Sequence, residues 1–170
     1  MQERVWHRFY DEGIPKELVF EDATTIEFFE RSARDFPDAT AIVFLNRKIS
    51  YRELKDHVDR FATALAEMGV APNSKVAVQL PNLPQTVISF LAILRLGAQA
   101  VMTNPLYMPP EIEHQWNDAG CEIAIVADFL YEQKVRPLRG QLPVTKYIIA
   151  SIPDYLRFPL NLLAPLKLKK

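Results

Sequence analysis

The clearest periodic pattern in the chain lies between residues 50 and 65. Leu54, Val58, Phe61, Ala62 and Leu65 recur at helical spacing and form one apolar stripe. Ser50 and Glu53 ahead of them have the spacing of a capping box, in which a hydroxyl and a carboxylate satisfy free backbone N–H groups. Gly69 supplies a left-handed stop. Thr24 and Glu27 repeat the box and predict a helix over about 25–36, ending before Pro37. Thr40 to Leu45 reads as a short strand, and Asn46-Arg47-Lys48 as a turn into Ile49.

Beyond residue 74 the pattern alternates. Strands are expected at Lys75–Leu80, Ala98–Thr103, Glu122–Ala127 and Thr145–Ala150. Between them fall a helix over Pro84–Leu96, closed by Gly97, and a helix over Pro109–Ala119, closed by Gly120. A short helix is expected around Phe129–Arg136. The prolines that open the second helix stand where a missing N–H costs nothing. Pro84–Leu96 is apolar nearly all round, which predicts burial. Short strand–helix–strand links imply right-handed crossovers and an α/β fold, with a mostly parallel sheet and helices on both faces. Residues 1–23, broken at Gly13-Ile14-Pro15, read as an N-terminal arm, residues 24–154 as one α/β unit, and residues 155–170 as a tail.

Composition changes that picture little. At 170 residues, 49% hydrophobic and 24% charged, the chain fits one ordinary domain with a sizeable core. A net charge of −1 gives no electrostatic case for nucleic acid. Cys121 is the single cysteine, so no internal disulfide is possible. Met1–Tyr10 carries Glu3, Arg4, His7 and Arg8 and lacks the apolar core of a signal peptide. No stretch approaches the roughly 20 apolar residues of a membrane span. A cytoplasmic protein is the expectation.

The tail stands apart. It has four bases and no acids, which leaves −5 on residues 1–154, and Pro159 and Pro165 bar one regular helix across it. Phe158, Lys167, Lys169 and Lys170 are candidates for peripheral contact with an anionic membrane surface. The competing reading packs the tail on other parts of a longer protein.

Phosphate chemistry is poorly served. The five glycines are 13, 69, 97, 120 and 140, and the closest pair is 20 residues apart, so no glycine-rich phosphate loop or dinucleotide fingerprint can form. His7, His57 and His114 are scattered, and the seven-residue gap from His114 to Cys121 matches no common zinc spacing. His57, among Asp56, Asp59 and Arg60, reads as a solvated surface residue. Cys121 reads as a small buried hydrophobe ahead of an apolar strand. No Ser/His/Asp set has positional logic. Asn104-Pro105-Leu106-Tyr107 follows a strand, at the end where open α/β sheets place ligands. Asn104 and Tyr107 are therefore candidates for lining a substrate or interface cleft, against the alternative of a rigid proline turn. Leu80-Pro81-Asn82 at the preceding strand end invites the same two readings.

Taken in order, Ser50-Tyr51-Arg52-Glu53-Leu54, Gly69-Val70, Leu80-Pro81-Asn82, Leu96-Gly97-Ala98, Asn104-Pro105-Leu106-Tyr107, Glu111 and Asp118-Ala119-Gly120 form a string. The string resembles the front of the adenylate-forming enzymes, most closely the long-chain fatty acid–CoA ligases, over roughly residues 24–150. The ending from Asp154 looks like the linker that precedes that family's phosphate loop. The resemblance implies the N-terminal subdomain of the AMP-binding fold. For a complete enzyme it implies two steps: a fatty carboxylate attacks ATP to give acyl-adenylate and pyrophosphate, then the CoA thiol displaces AMP, with Mg²⁺ present. The family's Ser/Thr/Gly-rich loop ending in Pro-Lys-Gly, its acidic ribose motif and its C-terminal-domain lysine match no position here. The resemblance therefore assigns this chain no catalytic, cofactor-binding or metal residue and implies that it is inactive alone. The partners implied are the remainder of the enzyme and a second copy, since family members form dimers through N-terminal regions. Other branches (aryl–CoA ligase, luciferase-like enzyme, fatty acyl-AMP ligase) stay open. So does a non-catalytic interaction module that would use helix Pro84–Leu96 and the tail as uncovered faces.

Overall fold

The computed structural model describes residues 4–45 and 47–156. Phe158, Lys167, Lys169 and Lys170, expected to contact membrane, lie outside the described residues.

Both capping boxes form. At the start of α1 (Thr25–Asp35), the Thr24 N–H donates to Glu27 Oε2 at 2.6 Å and the Glu27 N–H donates to Thr24 Oγ1 at 3.3 Å. At the start of α2 (Tyr51–Glu67), the matching bonds between Ser50 and Glu53 are 2.8 and 3.2 Å. In each box the backbone N–H bond favours the carboxylate and holds its pKa below the usual value. Between the two helices, β1 (Thr40–Phe44) and β2 (Arg47–Ser50) form an antiparallel hairpin. This corrects the expected turn at Asn46-Arg47-Lys48. Phe44 pairs with Arg47, so Arg47 and Lys48 already belong to the returning strand, and Leu45 takes a left-handed φ of 44°. A two-residue connection is among the shortest that reverse a strand.

The main sheet has four parallel strands, β3 (Lys75–Gln79), β4 (Gln99–Met102), β5 (Ile123–Ala127) and β6 (Lys146–Ala150), in the order β4-β3-β5-β6. After β4 the chain reverses its direction across the sheet and crosses β3 to reach β5. Right-handed crossovers then put α3 (Pro84–Arg95) and α4 (Pro109–Ala119) on opposite faces. α3 packs with α1 and α2, while α4 packs near the helical segment after β5. That segment is α5 (Asp128–Leu130), a widened π turn at Tyr131–Val135 and a tight 3-10 turn at Arg136–Leu138. The short helix expected around Phe129–Arg136 is present as this irregular helical segment.

Every residue of β5 is buried, as are Leu54, Val58, Ala62 and Leu65 of the α2 stripe; Phe61 is half-buried. α3 buries Ile88, Ser89, Leu91, Ala92 and Ile93 because it sits between the sheet and the other two helices. Val87 on the same helix is 39% exposed. The arm is where large apolar residues are most exposed: Val19 and Phe20 have relative exposures of 101% and 83%.

Candidate functional site

The carboxyl ends of the parallel strands are where an open α/β sheet presents its loops. In this chain those ends carry Leu80-Pro81 after β3, Thr103–Tyr107 after β4, Asp128 after β5 and Ser151 after β6. The switch in chain direction falls between β3 and β5. Gln79 stands there, fully buried and paired in register with Val126.

The loop after β4 is a braced turn. Asn104 Oδ1 accepts from the Leu106 N–H at 2.9 Å, and the Tyr107 N–H donates to the Asn104 carbonyl at 3.0 Å. From across the edge, Lys134 in the π turn donates its ammonium to the carbonyls of Pro105 (2.9 Å) and Tyr107 (2.8 Å). Gln79 Nε2 donates to the Asn104 carbonyl at 3.4 Å, while Gln79 Oε1 is buried with no partner. Below the turn, fully buried Trp116 of α4 donates its indole N–H to Thr103 Oγ1 at 2.8 Å. Asn104 is exposed and Tyr107 half-buried against the core. The structure places both candidate residues in one turn, away from a cleft beside α2 and β6.

That cleft, about 410 Å³, opens on the other half of the edge, where α2, α3, β5 and β6 meet. Its floor is apolar, with Phe61, Ile88, Ile125, Ile148 and Ile149, and its rim carries His57, Arg60, Gln85, Asp154 and Tyr155. Two loops beneath the rim are tied to α3 and to each other. Gln85 Nε2 donates to the Ser151 carbonyl at 2.8 Å, and Ser151 Oγ donates to Asp128 Oδ2 at 2.7 Å. Tyr155 closes one side, with its ring 5.8 Å from His57 edge-on and the Arg47 guanidinium 5.1 Å from its centroid. Burial raises the Tyr155 pKa above its usual value. His57, expected to be solvated, is half-buried at this rim, because Tyr155 folds back over α2. Sequence spacing had no way to join His57 to Tyr155.

The chemistry available at this edge is positional. Cys121 is buried at the opposite, amino end of β5, and burial pushes its thiol pKa up to about 11, which suits a packing role over a nucleophile. His114 is exposed on α4. Among the described residues there is no group of three or more His, Cys, Asp or Glu that could hold a metal ion. No two glycines are closer than 20 residues, so a glycine-rich phosphate loop cannot be built from them.

The fold and its turn-lined carboxyl edge define a doubly covered parallel α/β unit. The model of the family described as AMP-binding enzyme matches residues 29–161, so the chain belongs to the AMP-binding enzyme family. It is 36% identical over 168 residues, 99% of this chain, to a long-chain-fatty-acid–CoA ligase of Bacillus subtilis, of which it covers 30%. It is 34% identical over 132 residues, 76% of this chain, to a long-chain-fatty-acid–CoA ligase of Yersinia pestis, of which it covers 24%. A crystal structure of a long-chain-fatty-acid–CoA ligase from Archaeoglobus fulgidus superposes with a TM-score of 0.75 at 24% identity. That superposition covers 83% of this chain and 30% of the other. The chain thus spans less than a third of the length of these relatives. No helix among the described residues is long and apolar enough to cross a membrane.

Proposed function

We propose that this chain supplies the N-terminal α/β scaffold of a long-chain fatty acid–CoA ligase. The whole protein would activate a fatty acid with ATP and pass the acyl group to CoA. The chain's own part is structural: its parallel sheet sets the carboxyl-edge turns in place, and Lys134 and Trp116 fix the Asn104–Tyr107 turn. The groups that grip ATP, Mg²⁺ and CoA belong to polypeptide beyond these 170 residues. One pairing of observations carries the reading. The family match runs through residues 29–161, yet those residues contain no closely spaced glycines, and the described ones contain no cluster of metal-binding side chains.

The coding sequence immediately after Lys170 tests it. A Ser/Thr/Gly-rich stretch ending in Pro-Lys-Gly supports the scaffold role. A stop codon directly after Lys170 overturns it and favours a stand-alone interaction module.

A further inference from the structure

The N-terminal arm carries two exposed apolar stretches, and they differ in charge. The first is the 3-10 turn Val5–Phe9 with Tyr10 after it. Val5, Trp6, Phe9 and Tyr10 are all exposed there, Trp6 at 52% and Phe9 at 73%. Residues 4–10 hold two arginines and no acid; the nearest acids, Glu3 and Asp11, fall outside the turn. The second stretch is Leu18-Val19-Phe20, which Glu17, Glu21 and Asp22 flank.

The turn is closed on itself. The His7 N–H donates to the Arg4 carbonyl at 2.9 Å, and the Tyr10 N–H donates to the His7 carbonyl at 3.3 Å. The His7 ring is buried, edge-on to Trp6 at 6.2 Å and tilted against Tyr10 at 5.7 Å. The Arg4 guanidinium lies 5.4 Å from the centre of the Trp6 ring, and that of Arg8 lies 4.8 Å from the centre of the Phe9 ring. Each arginine is therefore held beside an exposed aromatic ring. The arm's far end is fastened to α1 by the Arg31–Glu21 ion pair at 2.7 Å.

Cations set beside exposed aromatic rings match one kind of surface. Aromatic rings settle at the headgroup level of a bilayer, and arginines are drawn to anionic headgroups. A second copy of the chain fits this turn less well, because a two-fold contact through it would bring its own arginines together.

We propose that residues 4–10 are a membrane-surface contact, with Trp6, Phe9 and Tyr10 seated among the headgroups of an anionic bilayer and Arg4 and Arg8 on its lipid phosphates and carboxylates. Leu18-Val19-Phe20 takes no part, since the same surface repels its acidic flanks. The contact is independent of the scaffold role and does not rest on it.

The test mixes the full 170-residue chain with vesicles containing phosphatidylserine or with vesicles of phosphatidylcholine alone. Trp6 is a built-in reporter, because the only other tryptophan, Trp116, is fully buried. The expected result is co-sedimentation and a blue shift of tryptophan emission with phosphatidylserine, and neither with phosphatidylcholine alone. Replacing Arg4 and Arg8 with Gln should weaken partition about 25-fold, about fivefold for each charge. Trp6→Ser with Phe9→Ser should abolish sedimentation, and Leu18→Ser with Phe20→Ser should leave it unchanged. All these positions are exposed, and circular dichroism and a cooperative melt check that each variant stays folded. No binding to either vesicle overturns the proposal, as does native-like binding by the double arginine variant. So does an equal loss in the Leu18 and Phe20 variant. Loss of binding only when Lys167, Lys169 and Lys170 become Gln overturns it by assigning the contact to the tail. A lipid-free dimer that the Trp6 and Phe9 variant splits into monomers overturns it by assigning the turn to a second copy.

Discussion

The two halves of the sheet's carboxyl edge are built to different degrees of completion. On the β4 side, the Asn104–Tyr107 turn is closed by its own backbone bonds, by the Lys134 ammonium on two carbonyls and by Trp116 beneath it. On the β6 side, Phe61, Ile88, Ile148 and Ile149 face an open cleft, and Tyr155 at its rim is held by ring and cation contacts with His57 and Arg47. The polar groups that end β6 have partners too, Ser151 with Gln85, Asp128 and Asp154; what differs is that the apolar side chains beside β6 line an open cleft. Under the proposed scaffold role, the open half is where further polypeptide would join.

If the β4 side is the finished one, its substitutions should cost most. Trp116→Ala removes a fully buried indole, leaves a cavity and frees the Thr103 hydroxyl. The expected loss is about 3–5 kcal/mol, read from the urea midpoint. Lys134→Met keeps the side chain's length while deleting both bonds to the turn. It should cost about 1–2 kcal/mol and speed amide exchange at Leu106 and Tyr107, since both bonds come from a charged, half-buried donor. Unchanged exchange there would show that the turn stands without its clamp.

Outside the edge, the capping box of α2 sets a reference of intermediate size. Ser50→Ala or Glu53→Gln should cost about 1 kcal/mol at pH 7. The folded Glu53 pKa is depressed by its backbone bond to Ser50. Its contribution is therefore fully present above the unfolded value of about 4.3 and is lost as pH falls through the lower folded value. The gap between wild type and Glu53→Gln should close in acid, which stability curves at pH 7 and pH 3 would reveal. On the β6 side, His57→Ala deletes one ring-edge contact at the rim and should cost only about 0.5 kcal/mol. A loss as large as that of Trp116→Ala would erase the distinction between the halves.

The fold was largely legible in the sequence because its signals are local. The boxes at Thr24/Glu27 and Ser50/Glu53 lie within single turns, and Gly69, Gly97 and Gly120 adopt the positive φ expected of stops. The hairpin pairing of Arg47 with Phe44 escaped notice because a two-residue reversal leaves little room for turn residues. Less of the site was legible. The cleft draws on four elements remote in sequence, and the Ser151–Asp128 bond, the Lys134 clamp and the His57–Tyr155 contact all depend on which strands become neighbours. The reversal of direction after β4 decides that, and no residue pattern marks it. Gln79 did carry a signal, as a polar residue closing an otherwise apolar strand, and it lies buried at the switch point with an unpaired carbonyl.

The central claim is that these residues form the scaffold of an adenylating enzyme and do not perform its chemistry. Pyrophosphate release by the purified 170-residue chain, supplied with long-chain fatty acid, ATP and Mg²⁺, tests it most directly. The account predicts release at the rate of the protein-free control, by a chain that is folded and melts cooperatively. Fatty acid-dependent release above that control would contradict it.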